Sequence, residues 1–155
     1  MRLVGLLPFT AGGLLFAFGD NGEGQLGNGT TEDSLVAVTV KAKQQTWKAV
    51  ACGSEHTMAL SEKDGSVFAW GLNDDGQIGV SKSDTSKPQK VKLKGKAVGI
   101  SCGSYHSAAV TAKGELWAWG QGEQGMPAEL ISLPPLLFRS AARLMRARMR
   151  RARAR

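Results

Sequence analysis

The sequence predicts an all-β protein: an incomplete β-propeller of four-stranded antiparallel blades, with a basic C-terminal tail outside the propeller. Three observations carry that expectation. The stretch Phe68-Ala69-Trp70-Gly71-Leu72-Asn73-Asp74-Asp75-Gly76-Gln77-Ile78-Gly79 has an earlier copy from Phe16 to Gly27 and a shorter later one from Trp117 to Gly125. The copies begin 52 and 49 residues apart, and self-similarity at a period near 50 marks a propeller or another repeat array. Second, 20 glycines among 155 residues punctuate β-branched and aromatic runs, as in a chain that turns often between short strands. Third, the formal charge of +7 resides in the last segment. Residues 1–125 hold 12 basic and 12 acidic residues, whereas residues 126–155 hold eight arginines against Glu129 alone.

The chain divides into a degenerate N-terminal segment (1–10), the repeats (11–125) and a Pro- then Arg-rich tail (126–155). In the first segment, aligning Gly13 with Gly65 sets Val4 opposite His56 and Pro8 opposite Leu60. Proline cannot donate to a ladder, so this is at best an edge strand. The stretch from Gly13 to Gly19 reads as a strand entering a Gly-rich turn.

In the first full unit, Leu35 to Val40 is β-branched between polar flanks, and Trp47 to Gly53 alternates at its start; both read as strands. His56 to Leu60 follows, then Lys63-Asp64-Gly65, a hairpin signal because Asp and Gly both tolerate positive φ. Ser66 to Gly71 completes the unit as an inner strand, with the rest of the repeated stretch as its closing turn.

The second unit repeats that order. Pro88 to Leu93 alternates apolar and basic residues, one face toward a core and one toward water. Val98 to Gly103 matches the Cys52 strand, Tyr105 to Val110 the His56 strand, and Lys113 to Gly120 the Trp70 strand. Four strands per unit of this length describe a propeller blade.

After Gly125 the repeat lapses: Met126-Pro127-Ala128 stands where Gln25-Leu26-Gly27 and Gln77-Ile78-Gly79 stand earlier. The tail beyond is helical or disordered. Arg139, Arg143, Arg146, Arg150 and Arg153 fall at helical spacing and would line one face, the candidate site for an anionic partner such as nucleic acid, chromatin or a membrane surface. A solvated end and an out-of-frame or intron-derived end are the competing readings of so low-complexity a segment.

Aromatic-Ala-aromatic-Gly in three copies, Cys-Gly-Ser-x-His in two and Gly-Gln-[Leu/Ile]-Gly in two resemble the regulator of chromosome condensation repeat family over residues 11–125. WD repeats are shorter and carry Trp-Asp, and kelch repeats want a double Gly in every unit. The resemblance implies a β-propeller of typically about seven blades, of which this chain holds two complete blades and part of a third. The founding member is similar to a guanine nucleotide exchange factor for a small nuclear GTPase that also docks on chromatin. Other members are scaffolds, or propellers attached to ubiquitin ligases. The matched motifs build blades, and no exchange residue maps onto a numbered position here.

Other patterns read as structural. Gly22 to Gly27 and Gly120 to Gly125 match G-x-G-x-x-G, but Asn28-Gly29-Thr30-Thr31 is poor material for the helix a phosphate site needs. His56 and His106 recur at one position of successive units, without further ligands for a metal, and read as hydrogen-bonded within or between blades. Cys52 and Cys102 read as small buried residues, as in a reducing compartment. Asp20 to Glu23 and Asn73 to Asp75 fail the calcium-loop spacing. Asn28-Gly29-Thr30 matches a glycosylation sequon without a secretory signal. Residues 3–9 are too short for a signal core, and the run from Leu130 to Phe138 is interrupted by Pro134 and Pro135, well short of a membrane span.

The functional expectation is a protein-interaction module, cytoplasmic or nuclear, with no catalytic residue, cofactor or metal and no transmembrane segment. Its partner is a protein, with a small GTPase among the classes. Nucleotide exchange on such a GTPase is the alternative, and a non-functional fragment of a longer propeller protein the second.

Overall fold

The computed structural model describes residues 4–7, 13–42, 46–80, 83–121 and 126–131, the first and last of these as backbone alone. Eleven strands occur among them: β1 (Val4–Leu7), β2 (Phe16–Gly19), β3 (Ser34–Thr39), β4 (Trp47–Cys52), β5 (His56–Ser61), β6 (Val67–Gly71), β7 (Thr85–Lys90), β8 (Ala97–Cys102), β9 (His106–Thr111), β10 (Leu116–Gly120) and β11 (Met126–Ile131). They form three antiparallel meanders in the spatial orders β1-β2-β3, β4-β5-β6-β7 and β8-β9-β10-β11.

Val4 pairs with Gly19 as His56 pairs with Gly71, so β1 stands in the place of β5 and is an edge strand, as its proline-bounded sequence predicts. β11 pairs with β10 in the position that β3 and β7 hold beside β2 and β6. The tail arginines Arg139, Arg143, Arg146, Arg150 and Arg153 lie outside the described residues.

Asp64-Gly65 closes the β5–β6 hairpin, with Gly65 at φ +70° and the Ser61 N–H donating to the Ser66 carbonyl at 2.8 Å. The outer strand begins earlier than its alternation suggests. β7 starts at Thr85, and a register shift between Ala69 and Gly71 bends the β6–β7 pair. The same shift recurs between Ala17 and Gly19 and between Ala118 and Gly120, and a second pair of equivalent shifts lies between Trp47 and Ala49 and between Ala97 and Gly99, so the sheets twist at corresponding places.

Burial tells which strands lie between blades. All six residues of β5 are buried, because both of its faces meet a neighbouring sheet. β9 is equivalent in sequence, yet His106 is exposed and Ala108 half-buried; one of its faces has no neighbour among the described residues. Two apolar clusters fill the seams. Leu15, Ala17, Leu26, Trp47 and Trp70 join the first sheet to the second. Met58, Leu60, Ile78, Ile100, Ala109 and Trp119 join the second to the third. β6 is an interior strand of its sheet, and β4 and β5 are the strands that meet β8.

Candidate functional site

The polar residues of the repeats converge on the seams. After β2 and after β6 the chain makes a compact turn organised by an asparagine. The Asn21 side-chain oxygen accepts from Leu26 N–H at 2.9 Å, and its backbone N–H donates to Asp33 Oδ1 at 2.8 Å. Asn73 repeats both bonds with Ile78 at 3.0 Å and Asp84 at 2.8 Å. Gln25 and Gln77 then brace the N–H groups of Glu23 and Asp75 at 2.9 and 3.0 Å. This pins the Gln25 and Gln77 carbonyls so that they point at the next blade.

Each carbonyl is taken by that blade twice. Gln25 O accepts from Trp70 Nε1 and from the Thr57 hydroxyl, both at 2.9 Å. Gln77 O accepts from Trp119 Nε1 at 2.9 Å and from the Ser107 hydroxyl at 2.8 Å. Where the blades meet, Trp70 is wholly buried and Trp119 nearly so. The Gly-x-Gly-x-x-Gly turn therefore faces a tryptophan of the adjacent blade. Gly27 sits at φ +67°, and a Cβ there would lie 2.6 Å from Trp70 Nε1; Gly79, at φ +69°, meets Trp119 Nε1 at 2.8 Å. Only glycine admits both that backbone and that approach.

His56 joins the second seam. Its Nε2 lies 2.9 Å from Ser107 Oγ. Because the Ser107 proton is directed to Gln77 O, the imidazole must donate from Nε2, which leaves Nδ1 an unprotonated acceptor. That atom is buried without a hydrogen-bond partner, packed on Gly53, where a side chain would collide with the ring. Burial, and secondarily the charge of His106, lowers the His56 pKa to about 4. His56 is thus a between-blade hydrogen-bonding residue, as expected, whereas His106, one unit on, is exposed.

The two thiols are half-buried rather than enclosed, since β4 and β8 are edge strands of their sheets. Cys102 Sγ donates to Ala51 O at 3.5 Å across the seam. Burial pushes both thiols up to about 12, so neither is a thiolate at neutral pH. The acidic turns are internally committed as well. Asp20 accepts from Gly22 N–H and Gln25 Nε2, each at 3.1 Å. In the second copy Leu72 replaces Asp20, and the buried Gln77 Nε2 has no acceptor among the described residues.

Sequence reading missed the Asn21/Asn73, Asp33/Asp84 and Gln25/Gln77 network. Its signal was present: these residues recur at the repeat period, 52, 51 and 52 residues apart.

Outside the seams, one charged feature stands out. Lys87, Lys90, Lys92, Lys94 and Lys96 are all exposed along β7 and the segment after it, with no acidic residue among them. Lys90 Nζ lies 3.8 Å from Asp64 Oδ2, at the mouth of a cleft of about 160 Å³ that also involves Gly65, Ser66 and Lys96. The Ser66 hydroxyl and N–H hold the Asp64 carboxyl well below the usual range. No group of three or more potential metal-ligating side chains occurs among the described residues.

The repeat profile described as regulator of chromosome condensation (RCC1) matches residues 12–60 and 64–110, and a second profile of the same description matches 47–77 and 97–125. The chain belongs to the RCC1 repeat family. It is 38% identical over 117 residues to the ultraviolet-B receptor UVR8 of Arabidopsis thaliana, covering 73% of this chain and 26% of the receptor. It is 39% identical over 127 residues to the E3 ubiquitin-protein ligase HERC2 of Homo sapiens, covering 77% of this chain and 3% of the ligase. The crystal structure of Prp20p from Saccharomyces cerevisiae, described with its binding properties to Gsp1p and histones, superposes with a TM-score of 0.61 at 24% identity. That match covers 74% of this chain and 30% of Prp20p, and it shows a shared RCC1-type propeller fold. The seam of tryptophan, glutamine carbonyl and serine or threonine is thus how two RCC1 repeats of this chain hold together.

Proposed function

We propose that this chain is a protein-interaction module that recognises a protein partner through blade edges and loops. The observation that carries this reading is the division of labour among its polar groups. Those repeated between blades are committed to the seams, while a row of lysines on β7 and the loop beyond faces outward. Such a row favours an acidic partner surface through long-range attraction and selectivity. UVR8 and HERC2 bear different activities in their names, receptor and ligase, on the same repeats; a fold hosts many functions, so the common element is the binding scaffold.

Prp20p, with its binding to Gsp1p and histones, suggests small GTPases and histones as the first partners to try. Nucleotide exchange is the second reading. The arginines at 139, 143, 146, 150 and 153 are a separate candidate contact for nucleic acid; if all five met phosphates, log K would fall against log salt with a slope of about −4 to −5. Among the described residues no helix is long and apolar enough to cross a membrane, and partners of these classes would be met in cytoplasm or nucleus.

The test is a binding isotherm of the full chain against a panel of small GTPases, repeated with Lys92→Glu/Lys94→Glu. Binding that is lost in the variant at an unchanged melting temperature supports the reading. Binding that ignores the variant overturns the role of the lysines. Acceleration of fluorescent-nucleotide release at catalytic protein concentrations would replace it with exchange.

A further inference from the structure

The outer edges of the first two sheets are equivalent in topology and opposite in chemistry. β7 carries Lys87, Pro88 and Lys90, the residues with which sheet edges are protected from pairing with another chain. β3 reads Ser34-Leu35-Val36-Ala37-Val38-Thr39, with no charge and no proline. Leu35 is 97% exposed and Val36 71% exposed. β3 pairs with β2 on one side only among the described residues. Val40 N–H donates to Leu15 O and Val38 pairs with Ala17, so by strand alternation the backbone groups of Thr39 and the Ala37 carbonyl turn outward, just before the register shift toward Gly19.

This edge is complementary to itself. With Ala37 set opposite Ala37 of an antiparallel second copy, Val36 meets Val38, Leu35 meets Thr39 and Asp33 meets Lys41. Glu32 and Asp33 precede the apolar stretch, and Lys41 follows it. Reversing the direction of a second copy brings the acidic end of each strand to the basic end of the other. Opposite charges across strands stabilise pairing and like charges oppose it, so the antiparallel arrangement is selected over the parallel one.

We infer that two copies of this chain associate through their β3 edges, antiparallel about a two-fold axis, to make one continuous sheet. A single edge meets itself, so the contact closes at two copies. It uses the rim of the blade and leaves the faces that pack against neighbouring blades free.

Sedimentation velocity of the full chain across the micromolar range tests this. The expected result is a concentration-dependent doubling of mass, returned to that of one chain by Leu35→Lys and by Val36→Lys, with far-UV circular dichroism unchanged. Leu35 is almost wholly exposed, so that variant keeps the test valid should Val36→Lys disturb folding. Lys41→Glu should weaken association, and Glu32→Lys/Lys41→Glu should recover part of it. A chain that stays single throughout, or a doubled mass that survives both lysine variants, overturns the inference. Tight binding of a foreign extended peptide at β3 by a chain that does not self-associate also overturns it, by giving the edge a different occupant.

Discussion

His56 makes the clearest pH prediction. Its pKa falls from 6.5 in the unfolded chain to about 4 in the fold, so the folded state favours the neutral ring. The unfolded chain binds more protons between those values, and stability is therefore full above pH 6.5 and is lost as pH falls toward 4. At pH 5 the loss from this group is about 2 kcal/mol. Denaturant midpoints at pH 7 and pH 5 should differ by correspondingly less in His56→Gln, where no ring titrates; an identical pH slope in the variant would remove His56 from the account. The glycines make a paired prediction. Gly27 and Gly76 share a positive φ, +67° and +76°, but a Cβ on Gly27 strikes Trp70 and one on Gly76 meets nothing within 4 Å. Gly76→Ala should cost only the backbone penalty of about 1–2 kcal/mol, and Gly27→Ala clearly more, read from melting temperatures side by side.

At the scale of the element, β6 and its turn form one device. Trp70 packs against Trp47 at a centroid separation of 6.4 Å and binds the preceding blade through Gln25 O. Trp70→Ala should cost about 3–5 kcal/mol, measured by urea unfolding; an unchanged midpoint would dissolve the seam assignment. Leu72→Asp restores the carboxylate that serves the first copy and should raise stability by up to about 1 kcal/mol, by pairing the Gln77 amide. Strands β2 to β10 and their order were legible in the sequence, because hairpin residues such as Asp64-Gly65 and the repeated Trp70 and Trp119 strands act locally; β11 was not, because the repeat motif lapses at Met126. The seams were not. Thr57 and Gln25 are 32 residues apart, and nothing local in either says that a hydroxyl will meet a carbonyl. The start of β7 at Thr85 was missed because a register shift at Gly71 changes which residues pair.

For the whole molecule, the second blade is shared by both apolar clusters. Residues of β5 show this: Ala59 packs into the first cluster and Met58 and Leu60 into the second. Neighbouring repeats coupled through a common unit unfold together when the interface energy is large. In each variant that keeps either Trp70 or Trp119 as the only buried seam fluorophore, fluorescence and far-UV circular dichroism should therefore report coincident transitions. Separate midpoints would mean that the two seams are independent.

Local pattern and periodicity by themselves determined the class of fold, the repeat, most of the blade strands and the family, because strands and turns are encoded by residues close together and written again at each repeat. The start of β7 and the strand β11, which falls in the expected tail, were not among them. Tertiary structure alone decided what the repeated polar residues do. A glutamine carbonyl becomes a seam acceptor only when the next blade brings its tryptophan and hydroxyl to it. His56 and His106 occupy the same position in their repeats, and one is buried and the other exposed because, among the described residues, a following blade covers only His56. The unprotected edge of β3 likewise emerged only when pairing with β2 showed which side of the strand faces outward.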